Sequence, residues 1–316
     1  MPVLALLEAL FVVGLWSASP ILVQSALTYL TPSQVAGTRY FGAFLAMLPL
    51  VITRARPWLR QLTRRDWLRL AAMGVLSYAI GNTLFFLGLE SLTPTTSSFL
   101  LNAIPVMTLV IGIPWLGERP NRWQVVGVGL TLVGGAVFFG GDPELSHGWH
   151  VAATLLGAFC LSLFAVMNRQ FARTSTVDVA GLAAVPLFFG GGLLMLITPP
   201  SVANLRPVAG IIAWLALANS ALAYLLWNHA LKRLKAFEIG IVASLMPIGT
   251  ALLSPVMVGE VLPLRGWLGV ALALVGVLLV GLTSTRPTTV PITMEAVPVE
   301  EGPDRDPTPT SGPEAE

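Results

Sequence analysis

The stretch LGERPNRWQVVGVGLTLVGG, residues 116–135, returns 142 residues later as VGEVLPLRGWLGVALALVGV, residues 258–277. Both copies place a Gly-Glu pair before an apolar run that carries small residues at matching positions. The identities in this register include Gly117 with Gly259, Glu118 with Glu260, Gly127 with Gly269, Leu130 with Leu272, and Gly134 with Gly276. Self-similarity at a fixed offset is typical of a duplicated structural unit, so this stretch predicts an internal repeat.

The same register continues upstream without a gap. It pairs Pro105 with Pro247, Thr108 with Thr250, and Leu84 with Leu226. A bias toward glycine and leucine in apolar helices explains isolated identities. This bias does not readily explain why a Gly-Glu pair and an in-helix proline recur together at the same offset. We therefore expect two copies of one unit in this chain.

The composition indicates that a lipid bilayer surrounds most of the chain. Of its 316 residues, 55 % are hydrophobic and 11 % are charged, and the mean hydropathy is +0.77. Soluble domains carry roughly 25 % charged residues. The single cysteine, Cys160, excludes an internal disulfide, and the three histidines have no metal-ligand spacing. We expect no cofactor, no metal and no nucleic-acid partner.

Apolar segments long enough to cross a bilayer, which takes about 20 residues each, recur along the chain. Ten segments qualify, and proline or charged residues separate them. The predicted spans are 3–27, 33–52, 67–89, 95–116, 123–140, 150–168, 179–197, 208–231, 237–258 and 266–282. The predicted fold is therefore an all-α integral membrane protein with ten transmembrane helices.

Basic residues concentrate in alternate loops, which indicates the orientation of the spans. Short loops rich in arginine and lysine stay on the cytoplasmic side. The basic loops hold Arg54, Arg56, Arg60, Arg64, Arg65, Arg69, Arg119, Arg122, Arg169, Arg173, Lys232, Arg233 and Lys235. The opposite loops hold Arg206, Arg265 and few other basic residues. This pattern predicts a multi-pass protein of the cell membrane with both termini in the cytoplasm.

Five spans are an odd number, so a second copy of a five-span unit must enter the membrane from the opposite side. We expect residues 1–141 and 142–284 to form two inverted five-helix repeats. Residues 285–316 are rich in Pro, Thr, Glu and Asp and predict a disordered cytoplasmic tail. Two inverted halves open a central cavity alternately to each side, which is the architecture of a carrier.

The repeat and a few local motifs resemble a known family. Each half carries a proline in its fourth span, a closing Gly-Glu pair and a glycine-containing fifth span. Trp16 and the Arg39-Tyr40-Phe41 stretch add to the likeness. Over residues 5–283 the chain resembles the EamA-type transporters of the drug/metabolite transporter superfamily. That resemblance implies a ten-span carrier of small organic solutes, often an exporter of amino acids or related metabolites.

Pro105 and Pro247 are the hinge or gating candidates. A proline inside a helix removes one backbone hydrogen bond, and here it would leave the carbonyl groups of Leu101 and Ala243 without their usual partners. The alternative is a static kink that a neighbouring hydroxyl group satisfies. The matching positions of the two prolines favour the hinge.

Three ionisable residues inside predicted spans are functional candidates. Arg39 must reach outward to the interface, pair within the protein, or face a cavity where it meets a carboxylate or phosphate. Glu8 is a candidate acceptor of a coupling proton, with solvation at the interface as the alternative. His229 is a candidate pH-sensitive gate, or else a solvated interfacial histidine.

Polar and aromatic side chains near the middle of the spans predict a neutral cavity. The candidates are Trp16, Tyr78, Asn82, Asn102, Asn219, Tyr224, Trp227 and Asn228. Interhelical hydrogen bonds alone would also satisfy their polar groups. Such a cavity suits amphipathic or aromatic small molecules better than multivalent ions. We expect its lining to come mainly from the predicted spans one, three, four, six, eight and nine.

Gly127 with Gly134, and Gly269 with Gly276, lie seven residues apart, so each pair shares one helix face. These faces predict either packing within one chain or a dimer interface, and the protein is expected to be a monomer or a homodimer.

Two other function classes stay open. A membrane enzyme would need clustered catalytic groups, and a channel would need a filter loop or an acidic ring.

Overall fold

The computed structural model describes residues 2–116, 120–140, 148–174, 178–231, 233–234 and 242–282. All regular elements among these residues are helical. Nine helices in this part of the chain are long and apolar enough to cross a membrane. They are Val3–Leu27, Pro32–Gln61, Arg64–Gly88, Pro94–Trp115, Arg122–Phe139, Gly148–Asn168, Ala180–Ile197, Val202–Trp227 and Leu264–Leu282. We number them as spans one to eight and span ten.

The predicted ninth span, 237–258, is seen only in part. Residues 235–241 lie outside the described residues, and the chain after them forms a shorter apolar helix, Val242–Met257. We call this helix the ninth segment. The arrangement of ten spans in two repeats stays a prediction, as do the repeat boundaries near residues 141–147. The Gly117-Glu118 pair and the tail at 285–316 also lie outside the described residues.

Span two is longer than the sequence predicts, and its loop is shorter. Hydropathy places the end of the helix near residue 52, yet the helix continues through a π-helical turn, Val51–Ala55, to Gln61. Only Leu62 and Thr63 separate it from span three. The Thr63 hydroxyl oxygen accepts a hydrogen bond from the backbone N–H of Asp66, and the Asp66 carboxylate accepts one from the backbone N–H of Thr63. This capping box starts span three at once. Several arginines that the sequence places in a loop therefore lie within the helices of spans two and three.

Span four is broken in the middle, and this break changes the interpretation of Pro105. The helix Pro94–Leu100 ends, Leu101 and Asn102 form a turn, and a new helix, Ala103–Leu116, begins. Pro105 is therefore in the first turn of a helix, where its missing N–H costs little. The carbonyl oxygen of Leu101, whose usual partner would be the N–H that Pro105 lacks, accepts instead a hydrogen bond from the backbone N–H of Ile104 at 3.0 Å.

The ninth segment has a similar break. Its helix is interrupted at Leu245, and a second helix, Met246–Met257, carries Pro247 in its first turn. The backbone N–H of Leu245 bonds to the carbonyl oxygen of Val242 at 3.1 Å. Both prolines thus come just after a short interruption of the helix.

Spans three and eight each contain a π-helical turn, and the two turns begin at equivalent places. The first is Val75–Gly81 and the second is Leu217–Leu222. From Val75 to Leu217 the offset is the same 142 residues that relates the two sequence copies. A π turn widens a helix, and such turns occur frequently at functional sites. Hydropathy gives no sign of them.

Spans five and ten pack together through their glycine faces. A Cβ atom on Gly127 would lie 2.6 Å from the carbonyl oxygen of Gly276, and one on Gly134 would lie 2.8 Å from that of Gly269. The higher-numbered glycine of one span faces the lower-numbered glycine of the other, so the helices run antiparallel. These faces therefore pack within one chain, as the first of the two alternatives predicts. We call this contact the glycine seam.

Candidate functional site

Arg39 points into the protein and is 6 % exposed. It lies in span two, in the helix Pro32–Leu50. Its Nε donates a hydrogen bond to Ser220 Oγ at 3.0 Å, and its Nη1 donates one to Ser19 Oγ at 2.8 Å. Ser220 belongs to the π turn of span eight, and Ser19 belongs to span one. Arg39 therefore does not reach outward, and it joins three spans.

Two aromatic rings flank this guanidinium group, and one of them is hydrogen-bonded to an amide. Its Cζ atom is 5.1 Å from the centroid of the Tyr40 ring and 6.0 Å from that of Phe86, which are cation–π distances. The Tyr40 hydroxyl donates a hydrogen bond to Asn82 Oδ1 at 2.6 Å. Asn82 Nδ2 donates in turn to the carbonyl oxygen of Ser77 at 2.9 Å. Ser77 lies in the π turn of span three, so that turn positions Asn82.

Tyr78 connects this group to span eight. Its ring centroid is 4.8 Å from that of Tyr40 and 5.9 Å from that of Phe164 in span six. Tyr78 and Tyr224 lie close enough to influence each other electrostatically, and both lie within electrostatic range of Arg39. Two candidates that are far apart in the sequence are therefore neighbours in the fold.

Trp16 and Asn219 hold span one against span eight. Trp16 Nε1 donates a hydrogen bond to the carbonyl oxygen of Asn219 at 3.1 Å, and Asn219 Nδ2 donates one to the carbonyl oxygen of Leu15 at 2.6 Å. The Trp16 ring centroid is 6.2 Å from that of Tyr224 and 4.9 Å from that of Trp227. These bonds position the Trp16 ring beside two aromatic rings of span eight.

Six aromatic side chains thus form a continuous row through the interior, which we call the aromatic row. In order they are Phe86, Tyr40, Tyr78, Tyr224, Trp16 and Trp227. Ring contacts join the first three and the last three, and Tyr78 lies within electrostatic range of Tyr224 between them. The row is built from spans one, two, three and eight. Span two is absent from the predicted lining spans, although its Tyr40 comes directly after Arg39. Tyr40 and Phe86 are absent from the predicted site residues, because each resembles an ordinary core aromatic in the sequence.

Glu8 and His229, predicted as separate candidates, contact each other. Glu8 Oε2 is 2.6 Å from His229 Nδ1, and the two side chains are 16 % and 39 % exposed respectively. The pair joins the start of span one to the helix Ala223–Leu231, which continues span eight beyond Trp227. It lies beyond the Trp227 end of the aromatic row, two residues along the chain from that tryptophan.

Two predicted candidates stand apart from the row. Asn102 lies in the turn that breaks span four, where its Nδ2 is buried and has no hydrogen-bond partner among the described residues. The side chain of Asn228 lies outside the described part of the chain. Within the described ranges, no three His, Cys, Asp or Glu side chains come together as a metal site would require.

The carbonyl group before each candidate hinge proline binds a serine of another span. Ser17 Oγ in span one donates to the carbonyl oxygen of Met246 at 3.1 Å, and Ser162 Oγ in span six donates to that of Ile104 at 3.2 Å. Met246 precedes Pro247, and Ile104 precedes Pro105. Each proline therefore follows a carbonyl group that is hydrogen-bonded to a span from the other half of the sequence.

Known proteins similar to this chain are transporters. A "Probable terminal-alkyne amino-acid exporter" of Streptantibioticus cattleyicolor is 26 % identical over 251 residues, which cover 78 % of this chain and 84 % of the exporter. An "S-adenosylmethionine/S-adenosylhomocysteine transporter" of Chlamydia trachomatis serovar D is 23 % identical over 264 residues, covering 79 % and 80 %. One solved crystal structure superposes with a TM-score of 0.63 at 20 % identity, over 89 % of this chain and 98 % of the other, which shows a shared fold.

The family comparison covers both halves of the sequence. The model of the EamA-like transporter family matches residues 3–140 and again residues 148–282. Together the two matches include every described span and the aromatic row. The resemblance inferred from Trp16, Arg39-Tyr40-Phe41 and the paired prolines is thereby confirmed. This chain, a multi-pass membrane protein, belongs to the EamA-like transporter family.

Proposed function

We propose that the chain is a secondary-active carrier of small organic solutes that works by alternating access, and that it exports amino acids or related metabolites. The observation that carries this proposal is the aromatic row, which crosses from spans one, two and three to span eight. The row thus lies between the two sequence copies, where a carrier of inverted repeats binds its solute. The named substrates of the two relatives are consistent with this class of cargo.

Three features support an inverted pair of halves. The family model matches twice, the π turns of spans three and eight begin 142 residues apart, and the glycine seam brings spans five and ten together antiparallel. A second copy that enters from the opposite side produces such an antiparallel contact. With both termini in the cytoplasm, as the basic loops predict, the Glu8–His229 pair lies at the cytoplasmic end of the row. The protein then resides in the cell membrane.

The Glu8–His229 pair is the proposed site of a coupling proton. A carboxylate bonded to an imidazole changes its charge state when one proton binds, which weakens or strengthens the contact between spans one and eight. A contact that joins these two spans at one end of the row is placed to gate that end. Opening of the pair would admit the solute from the cytoplasm.

The proposal is tested with the purified full chain in proteoliposomes. Counterflow of a labelled panel containing L-phenylalanine, L-methionine and S-adenosylhomocysteine is measured with and without a pH gradient. Saturable counterflow of at least one solute is expected, because a carrier exchanges solute across a closed barrier. Non-saturable flux without counterflow would indicate a channel, and chemical conversion of the solute would indicate an enzyme. Either result would contradict the proposal.

A further inference from the structure

We propose that Arg39 is the binding residue for a carboxylate group of the transported solute, so that the cargo of this carrier is a small organic acid or amino acid with an apolar side chain. The inference rests on the proposed carrier function and adds the chemical class of the cargo. It starts from the buried guanidinium group at the aromatic row.

No carboxylate among the described residues pairs with the charge of Arg39. Its two hydrogen-bond partners, Ser19 and Ser220, are neutral hydroxyl groups. The rings of Tyr40 and Phe86 attract the cation only weakly compared with an anion. A guanidinium group has five N–H donors, and the described residues occupy two of them. The fork of Arg39 thus keeps donors for a further acceptor.

The carboxylates in the described part of the chain lie elsewhere. Glu8 binds His229, Asp66 binds Thr63, Asp178 binds the N–H of Gly181, Glu260 is near the N–H of Thr95, and Glu90 is exposed in a turn. A buried arginine without an anion is costly in a membrane protein. An anion that enters with the solute offsets this cost during each transport cycle.

A carboxylate fits the site better than a phosphate does. Arginine binds a carboxylate through two parallel hydrogen bonds, which matches the donors that remain on one guanidinium group. One positive charge balances one carboxylate, whereas a phosphate dianion would need a second cation. Among the described residues, Arg39 is the arginine whose guanidinium group lies against rings of the aromatic row.

The rest of the row suits the remainder of such a solute. From Arg39 the rings of Tyr40, Tyr78, Tyr224, Trp16 and Trp227 continue toward the Glu8–His229 pair. Rings of this kind bind apolar and aromatic groups, and their hydroxyl and indole N–H groups accommodate polar substituents. A solute held by its carboxylate at Arg39 would therefore extend its side chain along the row.

The test compares each acid with its own amide. Counterflow is measured for L-phenylalanine, L-methionine and S-adenosylhomocysteine and for the three corresponding carboxamides, with the full chain in proteoliposomes. We expect the acids to half-saturate transport at concentrations about tenfold or more below those of the amides, because an amide lacks the charge that Arg39 requires. We expect Arg39→Gln to remove this preference and Arg39→Lys to restore part of it.

Two further variants make the result specific to Arg39. Ser220→Ala removes one of the hydrogen bonds that orient the guanidinium group, so it should weaken transport of the acids more than that of the amides. Arg206→Gln removes an exposed arginine outside the row and should keep the wild-type preference. Elution as a single species in size-exclusion chromatography shows that each variant has folded. If Arg39→Gln does not fold, the acid preference of the wild-type protein and its reduction in Ser220→Ala decide instead.

The outcomes separate the inference from the proposed function. Saturable counterflow with equal preference for acids and amides, or with a preference for amides, would overturn the role of Arg39 and leave a carrier. An acid preference that persists in a folded Arg39→Gln variant would overturn it as well. Absence of saturable counterflow for every member of the panel would contradict the carrier function, and the inference would fall with it.

Discussion

At the residue scale, the site depends on side chains whose partners lie far away in the sequence. Asn82 is predicted as a cavity residue from its polarity inside an apolar segment, yet its bond to Tyr40 comes from another span. Glu8 and His229 are 221 positions apart, so no local pattern could show that they touch. The residue types that matter are visible in the sequence, whereas their partners are not.

The hydrogen bond between Tyr40 and Asn82 supplies a first prediction. Tyr40→Phe leaves Asn82 Oδ1 without its donor at 2.6 Å, and we expect a loss of about 1 kcal/mol in the free energy of unfolding. Unfolding in mixed detergent micelles with rising dodecyl sulfate measures it. Tyr29→Phe is the control, because Tyr29 is exposed. Equal stability of the two variants would show that the bond contributes nothing.

The Glu8–His229 pair supplies a second prediction. If Glu8 is the proposed acceptor of a coupling proton, an imposed pH gradient should no longer drive solute accumulation by Glu8→Gln, while counterflow at equal pH should continue. The measurement is uptake into proteoliposomes with and without the gradient. Glu90→Gln, which changes an exposed carboxylate in a turn, should behave as wild type. Accumulation by Glu8→Gln at the wild-type level would refute this role.

At the element scale, helix interruptions and π turns depart from the continuous helices that hydropathy predicts. Span four breaks at Leu101 and Asn102, and the ninth segment breaks at Leu245, each just before a proline. The prolines are visible in the sequence, but they predict a continuous kinked helix. The π turns at Val75–Gly81 and Leu217–Leu222 cannot be foreseen, because an extra residue in a turn leaves hydropathy unchanged. The Thr63–Asp66 capping box, by contrast, can be read from the sequence.

The two prolines supply a third prediction. Pro105→Ala and Pro247→Ala each restore a backbone donor next to an interruption, which favours a continuous helix and a stiffer joint. We expect reduced counterflow with a folded, monodisperse protein. Pro114→Ala is the matched control, because Pro114 lies in the same helix as Pro105 but away from the interruption. Wild-type flux in both hinge variants would rule out the hinge.

The glycine seam supplies a fourth prediction, with a control one residue away. Gly134→Ala places a methyl group 2.8 Å from the carbonyl oxygen of Gly269, so it should separate spans five and ten and lower the melting temperature. Gly135→Ala meets no atom within 4 Å and should be neutral or slightly stabilising. Thermal unfolding in detergent compares them. A lower melting temperature for Gly135→Ala than for Gly134→Ala would contradict the seam.

At the scale of the whole molecule, the sequence predicts the helices well because each span is a local property. Hydropathy locates a span within its own 20 or so residues, and the repeat register then relates the halves. The row from Phe86 to Trp227 depends on how spans one, two, three and eight pack, and packing leaves little trace in one sequence. Arg39 is the exception, since a charge inside an apolar segment already indicates a special environment.

In the proposed carrier, the aromatic row is open to one side of the membrane at a time. Cys160 is the chain's only cysteine and is buried, so a Cys160→Ser background accepts a single reporter. In that background, Ala216→Cys, one helical turn before Ser220, reports on the Arg39 end of the row and Ala230→Cys on the Glu8–His229 end. The measurement is labelling by a membrane-impermeant maleimide from each side, with and without transported solute. Alternating access predicts that solute raises labelling at one end while lowering it at the other. Labelling that rises at both ends together, or that does not change with solute at either end, would contradict alternating access.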